Sequence, residues 1–224
     1  MENQKIILTG YAKIYFSYYQ NNSVVIKESK KRNLINYEHS IYQIINNKCL
    51  NIPTCYGMMS NNKFSYLILQ NTGLSIDKID KWLIYDIYKL YNDISNALNF
   101  LHSINIIHGD IKPSNITFNK DENKYYLIDY NLATNNINQY KISKSYFIGN
   151  REFSSLSVYK GLNPSAHDDF VSLIYVCLYL YTSKLPWKIT DQKMTMSNLQ
   201  FKLFYSTDEK YKDDELIKFL LSKI

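Results

Sequence analysis

His108-Gly109-Asp110-Ile111-Lys112-Pro113-Ser114-Asn115, followed fourteen residues after Asn115 by Asp129-Tyr130-Asn131, is the stretch that decides how the chain is read. Two β-like runs, Ile106-Ile107 and Tyr125-Tyr126-Leu127-Ile128, bracket the polar loop. A loop held between such runs presents its side chains at a strand end, where binding and catalytic groups concentrate. Upstream, Leu83, Ile87, Leu90, Ile94, Leu98 and Leu101 recur at helical spacing and predict a long helix over about 79–103 with one face in a core. Downstream, helices are predicted at about 168–182 and 213–223.

The N-terminal third reads differently. Ile14-Tyr15-Phe16 and Val24-Val25-Ile26 flank a turn region at 19–23 and predict a hairpin. Leu34, Ile35, Ile41, Ile44 and Ile45 predict one helix over 34–45, which Pro53 bars from continuing. Ser65 to Leu69 reads as a strand, and Asn71-Thr72-Gly73 is a turn where the composition changes from β-rich to helical. The expectation is a single α+β domain in two lobes: a β-rich lobe with one main helix (1–70), a hinge (71–73) and a mostly helical lobe (74–224).

With 224 residues, 46% of them hydrophobic, the chain has enough apolar material for two small lobes sharing a cleft. The net charge of +6 is spread rather than blocked, so no direct nucleic-acid binding is expected. Cys49, Cys55 and Cys177 form no pair with metal-ligand spacing, and a reducing compartment follows. Residues 1–5 are polar and unlike a secretory signal, and the apolar stretch 170–181 is too short to span a bilayer, so no membrane insertion is expected. The 22 tyrosines, with heavy use of Asn, Lys and Ile, read as the product of an AT-rich coding sequence.

Each polar residue of the loop has a separate chemical reason. Phosphoryl transfer is mostly positioning and charge neutralisation: a carboxylate to take a hydroxyl proton, a cation on the moving group, and oxygen ligands for Mg²⁺. Asp110, Lys112, and the pair Asn115 with Asp129 supply these in order. As a bare polar turn, the same residues would be caps.

In their order and spacing these residues resemble the catalytic and metal loops of the protein kinases, and within them the casein kinase I and vaccinia-related kinase group, including poxvirus early Ser/Thr kinases. His-Gly-Asp at 108–110, Asp-Tyr at 129–130, the run Gly149-Asn150-Arg151-Glu152-Phe153-Ser154-Ser155, Asp168-Asp169 and Leu185-Pro186-Trp187 carry the resemblance over nearly the whole chain. It implies a Ser/Thr protein kinase using ATP and Mg²⁺, with Asp110 and Lys112 catalytic and Asn115 and Asp129 on the metal. It further implies that Lys27, at the end of Val25-Ile26-Lys27, pairs with Glu38 and anchors phosphate. Leu69 guards the adenine pocket, the backbone of Gln70 and Thr72 meets adenine, and Ala12 and Ile14 belong to the phosphate-covering loop. Asp169 resembles the aspartate that supports the catalytic loop; helix capping accounts nearly as well for Asp168. His108 is expected to brace the loop, while His39, His102 and His167 are assigned no chemistry. Trp82 and Trp187 are expected to pack. Kinship also implies Ser/Thr-containing protein substrates associated with chromatin or DNA, and an intracellular, cytoplasmic location, with the host cytoplasm or viral factory if viral, and the nucleus as the alternative.

Several positions depart from the pattern. The three glycines of the phosphate-covering loop are replaced by Ile7, Thr9 and Ala12, with only Gly10 nearby, which predicts weak nucleotide binding. Asn131 stands for a glycine, a change that left-handed tolerance of Asn would soften. Asn150 stands for a threonine that would join Asp110 and Lys112. Gly109 removes the arginine that pairs with a phosphorylated activation loop. The sequence stops near where later helices of the family would continue, so the apolar face Leu216, Ile217, Phe219, Leu220 and Leu221 is expected to be the last packing element or an exposed partner site. Two alternatives stay open: a pseudokinase acting as a binding or decoy module, and a small-molecule kinase of related fold.

Overall fold

The computed structural model describes residues 6–8, 11–78, 84–135, 150, 152–183, 185, 205 and 207–224. Five antiparallel strands open the fold: β1 (Ile6–Leu8), β2 (Lys13–Tyr19), β3 (Asn22–Ser29), β4 (Cys55–Ser60) and β5 (Ser65–Gln70), in the order β1-β2-β3-β5-β4. The β2–β3 hairpin turns on Gln20 and Asn21 alone, both at positive φ (48° and 62°). Two such residues give a turn whose twist matches the flanking strands, so the turn is tighter than the 19–23 region read from composition. Helix α1 (Arg32–Ile45) packs on the sheet through Ile35, Ile41, Tyr42 and Ile45 and buries Glu38 with them. Asn46 ends it in a left-handed cap, its N–H reaching Tyr42 O. Termination is therefore local, well before Pro53.

The second half is helical around a small amount of sheet. Helix α2 (Ile84–Ser103) buries Ile87, Leu90, Ile94, Leu98 and Leu101, the stripe its spacing predicts, and packs against α4 (Ala166–Thr182), whose Leu173, Ile174, Val176, Cys177 and Leu178 are also buried. Between them lie β6 (Leu74–Ser75), β8 (Ile116–Asn119) and β9 (Lys124–Leu127) in one three-stranded sheet. β7 (Ile106–Ile107) pairs with β10 (Thr134–Asn135). These pairings hold the polar loop after β7 beside the loop after β9. A short α3 (Leu156–Tyr159), a final α5 (Glu215–Leu221) and two 3₁₀ turns, Ile76–Lys78 and Pro113–Asn115, complete the described elements. Residues 79–83, including Trp82 and Leu83, and the stretch 186–204 with Pro186 and Trp187, lie outside the described residues.

One expectation is corrected here. The apolar face at the C-terminal end is not open to a partner: Leu216, Ile217 and Leu220 are fully buried, and Phe219 packs against Tyr88 and Tyr91 of α2, each with ring centroids 5.2 Å away. α5 caps the α2–α4 core, and removing that much apolar surface from water outweighs leaving it free. Strands β4 and β8 and helix α3 were not predicted. β4, Cys-Tyr-Gly-Met-Met-Ser, lacks β-branched alternation and carries a bulge between Cys55 and Gly57, so nothing in its pattern marks a strand.

Candidate active site

A cavity of about 440 Å³ lies between the sheet and the helical half. Ile14, Phe16, Val25, Leu69 and Ile128 form apolar walls, while Lys27, Glu38, Asn115 and Asp129 cluster as its charged and polar part. The strand register brings these together: Ile14 on β2 sits opposite Lys27 on β3, and Val25 sits opposite Leu69 on β5.

Lys27 Nζ donates to Glu38 Oε2 at 2.8 Å and to Asp129 Oδ1 at 2.9 Å, joining β3, α1 and the loop after β9. Burial disfavours the Lys27 charge, but the carboxylates of Glu38 and Asp129 and the neighbouring Tyr11 outweigh it and raise its pKa. For Asp129, burial pushes upward, yet Lys27 and hydrogen bonds from Lys27, Asn131 and Tyr11 hold the carboxyl well below its usual range. Both groups are therefore charged at neutral pH.

The loop after β7 is organised around Asp110. Lys112 Nζ donates to Asp110 Oδ2 at 2.6 Å, and Asn115 Nδ2 donates to the same oxygen at 2.9 Å and to Asp110 O at 2.8 Å. With its nitrogen engaged there, Asn115 has its amide oxygen left for a cation. Asp110 Oδ1 is buried without a hydrogen bond among the described residues. Asp110 does not line the large cavity. It borders a second, small pocket with Asn150, Ser154, Ser155 and Asp169, so it stands between the two.

Asp169, from the first turn of α4, grips the loop's backbone: His108 N–H and Gly109 N–H donate to its two oxygens, each at 2.9 Å, and His102 Nε2 lies 2.9 Å from Oδ2. His108 stacks edge-on with Tyr130 (5.1 Å), and its Nε2 lies 3.1 Å from Ile128 O, tying the Asp110 loop to the Asp129 loop. Asp168 is a cap, forming a capping box with Ser165 and also accepting the Ser155 and Ser157 hydroxyls.

At the other end of the cavity, Gln70 and Thr72 line the wall, and Gln70 N–H donates to Thr54 O at 2.8 Å. Thr72 is buried with its hydroxyl 2.7 Å from that of Thr117. Gly73 has φ +86°, and a Cβ there would meet Phe118 O at 2.1 Å, so only glycine fits this approach of the connecting segment to β8.

Three expectations change. Ala12 is buried but does not line the cavity; its methyl group is short, and the Tyr11 ring beside it reaches in instead. Asn150 turns its side-chain oxygen onto its own segment, accepting from Glu152 N–H (2.8 Å) and Phe153 N–H (3.3 Å). Asn131 does not take up the dihedrals of a glycine, because the positive φ of this loop falls on Asp129 (+69°). Gly10, Gly149 and Arg151 lie outside the described residues.

Tyr11, Asn131 and His102 had no assigned role in the sequence. The Tyr11 ring lies over Lys27 Nζ, 4.9 Å from its centroid, and its hydroxyl donates to Asp129 Oδ1 at 3.0 Å. A polar aromatic beside a position where the resemblance implies glycine, and a carboxamide two residues after Asp129, were the available signals.

These contacts suit ATP and a divalent cation: apolar walls for a base, an ammonium for phosphates, and an oxygen pair of the kind a hard cation takes together with water and phosphate oxygens. Comparison with known proteins agrees. The family described as "Protein kinase domain" matches residues 10–222. A fowlpox virus (strain NVSL) protein described as a probable serine/threonine-protein kinase is 36% identical over 154 residues, which take in 62% of this chain and 50% of the relative. The chain thus spans about half the length of that curated relative.

Proposed function

Because the chain belongs to the protein kinase domain family, we propose that it is a Ser/Thr protein kinase transferring the γ-phosphate of Mg·ATP to a protein hydroxyl. The observation that carries this is the convergence of five residues from three segments, Lys27 of β3, Asp110, Lys112 and Asn115 of the loop after β7, and Asp129 of the loop after β9, around one cavity and its edge. Bound Mg·ATP would supply the phosphoryl group and metal charge. Asp110 would accept the hydroxyl proton through Oδ1, the oxygen with no hydrogen bond among the described residues. Lys112 steadies the other oxygen and offers its charge to the moving group. Asn115 and Asp129 would hold the cation through their oxygens, and Lys27, held by Glu38, would anchor phosphate.

Within the family, Lys112 after Asp110, the 149–155 segment and Asp168-Asp169 favour the casein kinase I and vaccinia-related group, with Ser/Thr specificity. The small pocket beside Asp110, bordered by Asn150, Ser154 and Ser155, fits the side from which a polypeptide hydroxyl would approach. Chromatin- or DNA-associated substrates and an intracellular location rest on that kinship.

A second reading, a pseudokinase serving as a binding module, is favoured by Tyr11, whose hydroxyl occupies one of the two Asp129 oxygens that a metal could use. Transfer of labelled γ-phosphate to a generic protein substrate separates the two. Transfer by the wild type, abolished in Asp110→Asn and Asp129→Asn, identifies the enzyme; no transfer by the wild type supports the binding module.

A further inference from the structure

Where the family resemblance implies glycine, Asn131 stands, and its carboxamide is built into the charged cluster. Its Nδ2 donates to Asp129 Oδ1 at 2.6 Å and to Glu38 Oε2 at 2.9 Å, and it also meets the Tyr11 hydroxyl. The left-handed dihedral of this loop lies on Asp129, so a glycine at 131 is not needed for the backbone.

The charge balance explains why an amide belongs there. Two carboxylates, Glu38 and Asp129, share one ammonium, Lys27. In a buried setting the surplus negative charge drives the carboxylates apart, and N–H donors placed between them oppose that repulsion. Only the nitrogen end of the amide can face two carboxylates, and Asn131 Oδ1 is accordingly left without a hydrogen bond among the described residues. Tyr130 N–H adds a third donor to Glu38 at 3.3 Å, after Lys27 and Asn131, and the Tyr37 hydroxyl of α1 donates to Ala133 O. Helix α1 is thereby tied to residues 130–133 by side chains and backbone of this chain alone.

Resting on the phosphotransfer reading above, we propose that Asn131 is a positioning residue whose carboxamide holds Asp129 and Glu38 in the arrangement that Mg·ATP requires, before any ligand arrives. The role is distinct from ligation: the nitrogen faces protein carboxylates, and its effect reaches the ligand through Asp129 and Lys27.

The test is calorimetric titration of the full chain with Mg·ATP, with ATP in excess EDTA, and with adenosine, for wild type, Asn131→Ala, Asn131→Gly and Asn131→Ser. Thermal unfolding of each protein shows that it is folded. Asn131→Ala and Asn131→Gly are expected to weaken Mg·ATP by about tenfold, the effect of losing a hydrogen bond to a charged group, and to leave adenosine unchanged. Asn131→Ser keeps one donor and recovers part of the loss; it also carries the comparison if the smaller variants do not fold. In transfer assays the same variants lower kcat and leave the KM for the protein substrate unchanged. Wild-type Mg·ATP affinity in Asn131→Ala, an equal loss for adenosine, or a wild type that binds no Mg·ATP overturns the proposal. A wild type that transfers no phosphate, with Asn131→Ala still selectively weak for Mg·ATP, removes the phosphotransfer reading and leaves the positioning role standing.

Discussion

The hydroxyl of Tyr11 donates to the carboxylate of Asp129 across 118 positions of sequence, at 3.0 Å, with the phenol ring lying over Lys27. The carboxylate oxygen involved is the one that also accepts from Lys27 and Asn131. A cation taken by that same oxygen would displace this hydroxyl, whose loss leaves the Lys27 and Asn131 contacts in place. Tyr11→Phe is therefore expected to tighten Mg·ATP roughly threefold to tenfold, equivalent to about 1 kcal/mol, and to leave adenosine affinity unchanged. Calorimetry with the two ligands checks this; weaker Mg·ATP binding in the variant would instead make the hydroxyl a ligand contact.

Asp169 accepts two buried backbone N–H groups of the Asp110 loop. Asp169→Ala leaves both without a partner and is expected to cost about 3 kcal/mol, a fall of roughly 6–12 °C in Tm for a chain of this size. Asp169→Asn, which keeps one acceptor oxygen, should lose less. Equal unfolding midpoints for wild type and Asp169→Ala would show that the loop is held by other contacts.

Asp168 sets an acid limit. Burial raises its pKa, but hydrogen bonds from the Ser155, Ser157 and Ser165 hydroxyls and the Ser165 N–H outweigh that, and the net shift is downward. A carboxyl depressed in the folded state stabilises above its unfolded pKa of about 3.9, and that contribution disappears as pH falls through the lower folded value. The stability difference between wild type and Asp168→Asn should thus be constant from neutral pH down to about pH 5 and shrink below about pH 4. Denaturant midpoints measured across that range decide it; a difference that persists unchanged to pH 2 would remove the charge from the explanation.

Gly109 carries no side chain to pair with a phosphate, and Glu38 is already held by Lys27, Asn131 and Tyr130 N–H. Transfer activity is expected to be the same before and after phosphatase treatment. Loss of activity on dephosphorylation, restored by incubation with ATP, would contradict this.

The cluster around Asp110 was legible in the sequence because Asp110, Lys112 and Asn115, which hydrogen-bond to one another, lie within six residues in one line of text. The α2 stripe was legible for the same local reason. Tyr11 and Asn131 were not, because their roles exist only once β2, α1 and the loop after β9 are brought together. Tyrosine abundance concealed more: read as coding bias, the residues include Tyr11 in the site, Tyr37 bonded to Ala133, and Tyr130 packed edge-on against both Tyr42 and His108. Asn131 was judged by its dihedral tolerance, whereas its amide group is what the fold engages. The C-terminal apolar face was correctly seen as apolar, but only the packing of Phe219 between Tyr88 and Tyr91 shows what covers it.

The knot of Lys27, Glu38, Asn131 and Asp129 also limits which synthetic compounds the cleft will admit. Inhibitors that work by swinging α1 outward must break the ion pair, the carboxamide bridge and the Tyr37 anchor together. Compact, flat molecules that stop at Leu69 leave all three intact, and screening for this chain favours them.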